Sequence, residues 1–247
     1  MEIQRKLDFE TFEDKLGEWS RYLKPIFESE QMFNLYQEFK TCKDTITPKS
    51  EDLFKCFKLC PPDNLKIVII GQDAYPGVYK NGKFHATGLA FDNSNAPDSK
   101  LQQSLDYFWE GISKEYDTKF FKEKDISYLA SREGFLLANR SLNCKLYKIG
   151  SFMGKWDFFW EFFLSNVMIN FPGIPIILIG KEAQVLKKYI FTLNNPVFCI
   201  SHPSYAAKNN IDWDTEQVFT KIDKYYSLHN GKEFKINWIK QEEDLKF

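Results

Sequence analysis

Four short aliphatic runs constrain this chain more than anything else in it: 66–71 (KIVIIG), 135–142 (FLLANRSL), 174–180 (IPIILIG) and 196–201 (PVFCIS). Their early positions lack the polar alternation of a half-exposed strand, so each reads as a strand buried on both faces. Such strands need cover above and below. Between them lie segments of helical period: SEDLFKCFKL, with Ser50 as its N-cap and Leu53, Phe54 and Phe57 on one face, then KLQQSLDYFWEGI and KWDFFWEFFLSNVM. Strands alternating with helices predict an α/β fold, a single-domain three-layer α/β/α architecture around a central four-stranded parallel sheet. No internal repeat or low-complexity linker divides the sequence. One domain is therefore expected over 1–247, with 1–47 a helical N-terminal extension packed on it.

With 247 residues, 43% of them hydrophobic, the chain is long enough for a substantial core. Its 33 basic and 34 acidic residues nearly cancel, so contact with a polyanion has to be local. Five scattered cysteines (42, 56, 60, 144 and 199) contain no C-x-x-C pair, and His85, His202 and His229 are far apart. Free thiols, a reducing compartment, no metal site and no cofactor are expected. The first residues, MEIQRKLDFETFEDKL, are charged where a signal peptide needs an apolar stretch, and no apolar run is long enough to span a bilayer. The expectation is an intracellular protein without membrane association: cytoplasmic, or nuclear in a eukaryotic or viral host context.

In open parallel sheets, ligands bind beyond the carboxyl ends of the strands. Polar residues gather at those ends here: Asp73 after the first run, Asn139 within the second, Lys181 after the third and His202 after the fourth. Each alone has an ordinary reading, as a turn residue, a satisfied core amide or a loop histidine. Their conjunction at four strand ends is what points to one cleft. The first loop has neither a dinucleotide-binding nor a Walker glycine pattern, and no G-x-S-x-G elbow is present.

These residues also carry a likeness. VIIGQDAYPG resembles the water-activating motif GQDPYHG of family 1 uracil-DNA glycosylases, and SHPS resembles the start of their HPSPL loop. In chain order, ATGLAF is similar to AHGLCF, REGFLLANRSL to QGVLLLNAVLT, GSFMGKWDFFWEFF to HxGxGWExFT, and IGKEAQ to WGxYAQ. The motifs run from about residue 48 to residue 238 with compatible spacing, and their order makes chance an inadequate explanation.

The resemblance implies hydrolysis of the bond between uracil and deoxyribose in DNA, leaving an abasic site. Such chemistry needs the nucleotide extruded, the base held by its pairing edge and both fragments stabilised. In this reading Asp73 orients water beside a cationic sugar, and His202 stabilises the departing uracil. Asn139 reads the O4 and N3–H edge, Phe91 stacks on the ring, Tyr75 blocks a thymine methyl and Gln72 lines the pocket. Candidate DNA contacts are Ser99, Lys181, Ser204, Tyr205, Ala206 and Lys208. Three positions depart from the family pattern. Ala74 replaces its proline, Pro76 replaces a histidine and cannot donate a hydrogen bond, and Ala206 replaces the leucine that enters the duplex.

Two functional classes follow. One is a monomeric enzyme of base excision repair acting on single- or double-stranded uracil-containing DNA, with a proteinaceous glycosylase inhibitor or a replication protein as further partner. The other is a DNA-binding relative with a structural duty, such as a polymerase processivity partner. The carboxylate at residue 73 favours the enzyme, because a binding module has no chemical need for it beside the sugar.

Overall fold

The computed structural model describes residues 10–42 and 45–240. Residues 1–9 and 43–44 of the expected N-terminal extension, and residues 241–247, lie outside the described residues. In chain order the elements are α1 (Glu10–Leu16), α2 (Ser20–Phe27), α3 (Glu30–Thr41), β1 (Ile46–Thr47), α4 (Lys55–Leu59), β2 (Ile67–Asp73), α5 (Gln103–Glu115) and α6 (Ser127–Ser131). There follow β3 (Phe135–Ser141), β4 (Cys144–Lys145), α7 (Asp157–Phe162), β5 (Ile176–Ile179), α8 (Lys181–Gln184), β6 (Val197–Ile200), α9 (Pro203–Asn209) and α10 (Val218–Asn230).

The four aliphatic runs form one sheet in the order β3-β2-β5-β6, with every neighbouring pair parallel. Residues 67–70 and 176–179 are wholly buried, which is why their sequences show no polar alternation, whereas the expected burial on both faces fails for β6, an edge strand whose Val197, Phe198 and Cys199 are only partly buried. From β2 the chain crosses to β3 on one side, whereas β5 leads to β6 on the other. The switch point therefore lies between β2 and β5, and a cleft opens at their carboxyl ends.

Two groups of aromatic rings fill the layers beside the sheet. Trp19, Phe54, Phe57, Phe159, Trp160 and Phe163 interlock where α4 and α7 meet the N-terminal helices. Phe108 and Trp109 of α5 gather with Phe219 of α10 and with Trp238 in the other group. The ring of Phe135 meets Trp238 edge-on, so this second group covers the face that Phe135 presents. By the two-residue period of a strand, Asn139 points to the same face. Among the described residues, no helix is long and apolar enough to cross a membrane.

Two helix expectations need correction. Ser50 caps nothing: residues 49–55 form successive three-residue turns (Asp52 N to Lys49 O, Lys55 N to Asp52 O, both 3.0 Å), and α4 starts only after Phe54. At φ −112° and ψ 19° the Phe54 backbone interrupts a helical run, while its ring is buried in the core. The segment expected as one helix over 155–168 begins at Asp157 and widens after Phe162 into an i→i+5 turn over Phe163–Val167. That extra residue per turn accompanies burial of Phe163, Leu164 and Val167.

β3 is anchored by a buried cation. Arg140 makes a bidentate pair with Asp157 of α7 (both bonds 2.8 Å) and donates to the Glu182 carboxylate and carbonyl of α8 at 2.9 and 3.0 Å. Its own carbonyl accepts from Trp160 Nε1 at 2.8 Å. Removing a partner from a buried ionic network strands the remaining charges, which costs about 3–5 kcal/mol. Arg140→Ala is thus expected to lose about 3 kcal/mol, somewhat offset because Glu182 is partly exposed. Denaturant unfolding with an unchanged m-value checks this.

Candidate active site

The register of β2 against β3 builds the floor of the cleft. Gly71 is paired with Asn139, and Asp73 with Ser141. A Cβ at residue 71 would lie 2.6 Å from Asn139 Oδ1, so only glycine lets the amide sit there. Around it is a cavity of about 170 Å³, lined by Gln72, Asp73, Ala74, Tyr75, Pro76, Leu89, Phe91, Ser104, Asn139, Ile149, His202, Ser204 and Lys208.

Asp73 stands at the last position of β2. Its Oδ2 accepts from the Gly150 backbone N–H at 2.7 Å and, at a long 3.4 Å, from Gln72 Nε2. Its Oδ1 is buried without a partner, as is the hydroxyl of Ser141 beside it. Ser141 nonetheless favours the charged form of the carboxyl. Burial raises the carboxyl above its ordinary value, against the Gly150 N–H, Ser141 and Gln72, while the charge of Glu182 adds to the rise. The carboxyl lines the cavity, and its burial makes it a stronger acceptor for the proton of a water or hydroxyl held there.

His202 precedes α9 and caps it. Its Nδ1 accepts from the Ser204 backbone N–H at 3.1 Å, with Ser204 Oγ at 2.8 Å. A backbone N–H can only donate, so Nδ1 carries no proton and Nε2 does. Burial pushes the imidazole down to about 4, and the nearby Lys208 ammonium pushes the same way. Near neutral pH the ring is an uncharged Nε2–H donor. Gly180, at φ +86°, makes room for it: a Cβ there would come 2.9 Å from His202 Cβ.

Phe91 sits in the left-handed region at φ +66°, which costs a non-glycine residue about 1 kcal/mol or more. One face of its ring stacks on Phe108 (5.4 Å, 18°), and its ring also borders the cavity beside His202. Tyr75 is fixed by a 2.6 Å hydrogen bond between its hydroxyl and Ser104 Oγ, and burial keeps the phenol protonated. The loop between them is held despite Ala74. That residue is buried against Ala86 and Cys144, and its carbonyl accepts from the Cys144 thiol at 3.2 Å. The carbonyl of Pro76 accepts from Tyr147 N at 2.7 Å. Contacts from the β4 region thus supply rigidity where the resembling motif has proline.

Of the residues expected from sequence, the cavity gathers Gln72, Asp73, Tyr75, Phe91, Asn139, His202, Ser204 and Lys208. Ser99, in a loop, and Lys181, the first residue of α8, are exposed and lie outside its lining. Ala206 needs correction as a surface contact. It is 2% exposed and packs into the core, because the helix begun at Pro203 turns that side chain inward. Tyr205, one position earlier, is 59% exposed and is the side chain that projects. Ser104, Ile149 and the Gly150 N–H went unforeseen. Nothing in the sequence marks Ser104 or Ile149, whereas Gly150 lies in a segment already noted for its likeness. Among the described residues, no group of three His, Cys, Asp or Glu is placed to hold a metal ion.

The profile of the uracil DNA glycosylase superfamily matches residues 57–225. A uracil-DNA glycosylase of Mycoplasmopsis pulmonis (strain UAB CTIP) is 38% identical over 197 residues, covering 78% of this chain and 82% of its own length. One from Mesomycoplasma hyopneumoniae (strain 7448) is 31% identical over 246 residues, covering 96% and 99%. Among solved structures, that of mimivirus uracil-DNA glycosylase superposes with a TM-score of 0.80 at 21% identity, covering 95% of this chain and 90% of that one. A variant of the mimivirus protein in complex with UGI superposes with a TM-score of 0.79 at 20% identity, covering 94% and 92%.

The buried histidine has a measurable linkage. Its folded value of about 4 lies below the ordinary 6.5, so within that window the unfolded chain binds the proton more readily. Stability is therefore lost as pH falls from 6.5 toward 4, by about 3 kcal/mol for this group. His202→Gln should lack this component, and the difference between the two proteins' denaturant-derived stability profiles isolates it from the opposite contribution of Asp73.

Proposed function

The chain belongs to the uracil-DNA glycosylase superfamily, and from that premise we propose how its residues release uracil from DNA. A deoxyuridine turned out of the stack enters the cavity with its base on Phe91. The Asn139 amide offers a donor to O4 and an acceptor to N3–H, a pattern that mismatches cytosine. Tyr75, locked by Ser104, stands against C5 and excludes the methyl of thymine. Gln72 lines the pocket and steadies Asp73.

As the bond from C1′ to N1 breaks, its electron pair goes to uracil, and negative charge gathers on O2. The neutral His202 Nε2–H donates to that oxygen, and the Ser204 N–H keeps the imidazole in this tautomer. The sugar becomes cationic. Asp73, whose carboxyl lines the cavity, stabilises it electrostatically, orients the water that adds to C1′ and accepts its proton. Once uracil takes up a proton, the products are free uracil and an abasic site. The observation that carries the reading is the convergence on one cavity of a carboxylate at the end of β2 and an imidazole fixed as a neutral donor.

Lys208 lines the cavity, and it serves with the exposed Lys181 and Ser99 as a contact to the phosphates. The substrate is uracil-containing DNA, single- or double-stranded, bound by a monomer. The relationship to bacterial enzymes supports a cytoplasmic setting. The mimivirus variant in complex with UGI supports a proteinaceous inhibitor as a partner class. A purely structural DNA-binding role is not favoured, because the relatives are named for glycosylase activity.

Two outcomes test this reading. Asp73→Asn should slow single-turnover excision of uracil from an oligonucleotide by roughly a thousandfold or more while uracil-DNA is still bound, since electrostatic stabilisation of this kind is worth several kcal/mol. Near-normal turnover in that variant removes Asp73 from the chemistry. At the mouth, exposed Tyr205 is the residue able to fill the hole left by extrusion. Tyr205→Ala is expected to lose roughly tenfold or more on duplex substrate and little on single strands, because only the duplex charges a few kcal/mol for unpairing.

A further inference from the structure

The segment that follows β4 has features that the reaction just described leaves unused. Tyr147 is 77% exposed and Ile149 is 67% exposed, an aromatic and a branched aliphatic side chain set side by side in solvent. They alternate with Lys145 and Lys148, both exposed. Tyr147 also holds a left-handed backbone at φ +60°, a conformation that costs a residue with a Cβ. Packing does not explain that cost, because the ring it positions is not buried. Tyr147 N donates to Pro76 O at 2.7 Å, and Lys148 N donates to Lys145 O at 3.1 Å. Gly150 N reaches Asp73 Oδ2 at 2.7 Å. One five-residue loop thus touches the water-activating segment at two points and presents two apolar side chains outward. Ile149 borders the cavity itself, opposite residues supplied by α9.

Apolar rings interleaved with cations are the pattern that holds nucleic-acid strands, with bases stacked on the rings and phosphates met by lysine. The occupant follows from continuity: a strand whose uridine fills the cavity must carry its adjacent nucleotide past the rim formed by Ile149. We propose that the loop from Leu146 to Gly150 is a second nucleotide-contact site, at which Tyr147 and Ile149 seat the base adjoining the extruded uridine and thereby hold Gly150 against Asp73. Lys145 and Lys148 serve the phosphates of that nucleotide. Tyr147 is a positioning residue: it touches the neighbouring base and acts on the reaction through the Gly150 N–H. This assignment rests on the uracil-excision reading above and adds to it a requirement for flanking bases.

The test uses the full chain and two single-stranded oligonucleotides that differ only beside the uracil. One has normal bases on both sides, and the other has tetrahydrofuran abasic residues there. Single-turnover rates are measured across enzyme concentration for wild type, Tyr147→Ala and Tyr147→Trp. Wild type should prefer the normally flanked strand by roughly tenfold, the scale of one base–aromatic stack. In Tyr147→Ala that preference should shrink below twofold, and in Tyr147→Trp it should be kept. Because the readout is a ratio within each protein, a general loss of folded enzyme cancels.

A wild type indifferent to flanking bases overturns the site. So does a Tyr147→Ala protein that keeps the full preference, or one that slows equally on both strands as a merely structural residue would. The link to Asp73 is read separately. If Tyr147→Ala raises the half-saturating concentration but leaves the maximal rate on the flanked strand unchanged, the coupling through Gly150 is overturned. A wild type that releases no uracil from either strand removes the excision reading instead, and this proposal with it.

Discussion

The pairing of β2 with β3 is the constraint on which the rest depends. A parallel register that sets Gly71 opposite Asn139 and Asp73 opposite Ser141 puts the base-reading amide and the carboxylate two residues apart along one face. A one-residue slip would turn both to the other side of the sheet. Nothing polar enforces the register along most of its length. It is fixed by complete burial of residues 67–70 and 135–138, by the missing side chain at Gly71 and by the Arg140 network that ties β3 to α7 and α8. Chemistry at the strand ends is therefore positioned by hydrophobic packing lower in the sheet.

The two reacting groups are tuned by the same desolvation in opposite directions of charge. Burial makes the Asp73 carboxylate a better proton acceptor and keeps the His202 imidazole neutral. The hydrogen bonds differ in purpose. Gly150 holds one carboxylate oxygen in place, whereas the Ser204 N–H occupies Nδ1 and thereby directs the proton to Nε2. A backbone amide on each side thus fixes the side chain it meets.

Much of this was legible in the sequence, for identifiable reasons. The strands could be read because buried parallel strands are nearly continuous aliphatic runs, and Asp73, Asn139 and His202 because polar groups at several strand ends must converge on one cleft. Ser50 misled because a serine ahead of a periodic apolar run looks like a cap, and the Phe54 backbone that breaks the helix has no sequence signature. The choice between Tyr205 and Ala206 was not legible. It depends on the rotational phase of a helix that starts at Pro203, and one residue of phase decides which side chain faces the core. Ile149 and Gly150 came from a loop whose path is set by bonds to Pro76 and Asp73, seventy and more residues earlier in the chain.

Phe91 has an optical consequence. Its ring stacks on Phe108 at 5.4 Å and 18°, and Phe108 stacks in turn on Trp213 at 5.7 Å and 28°. This column runs from the wall of the pocket to an indole whose N–H donates to Ser201 O, directly before His202. Seating a ring on Phe91, or shifting the loop that bears His202, alters the surroundings of that indole by way of rigid aromatic neighbours. Trp213, one of six tryptophans in the chain, is consequently a chromophore joined to the pocket wall through ring contacts rather than by label.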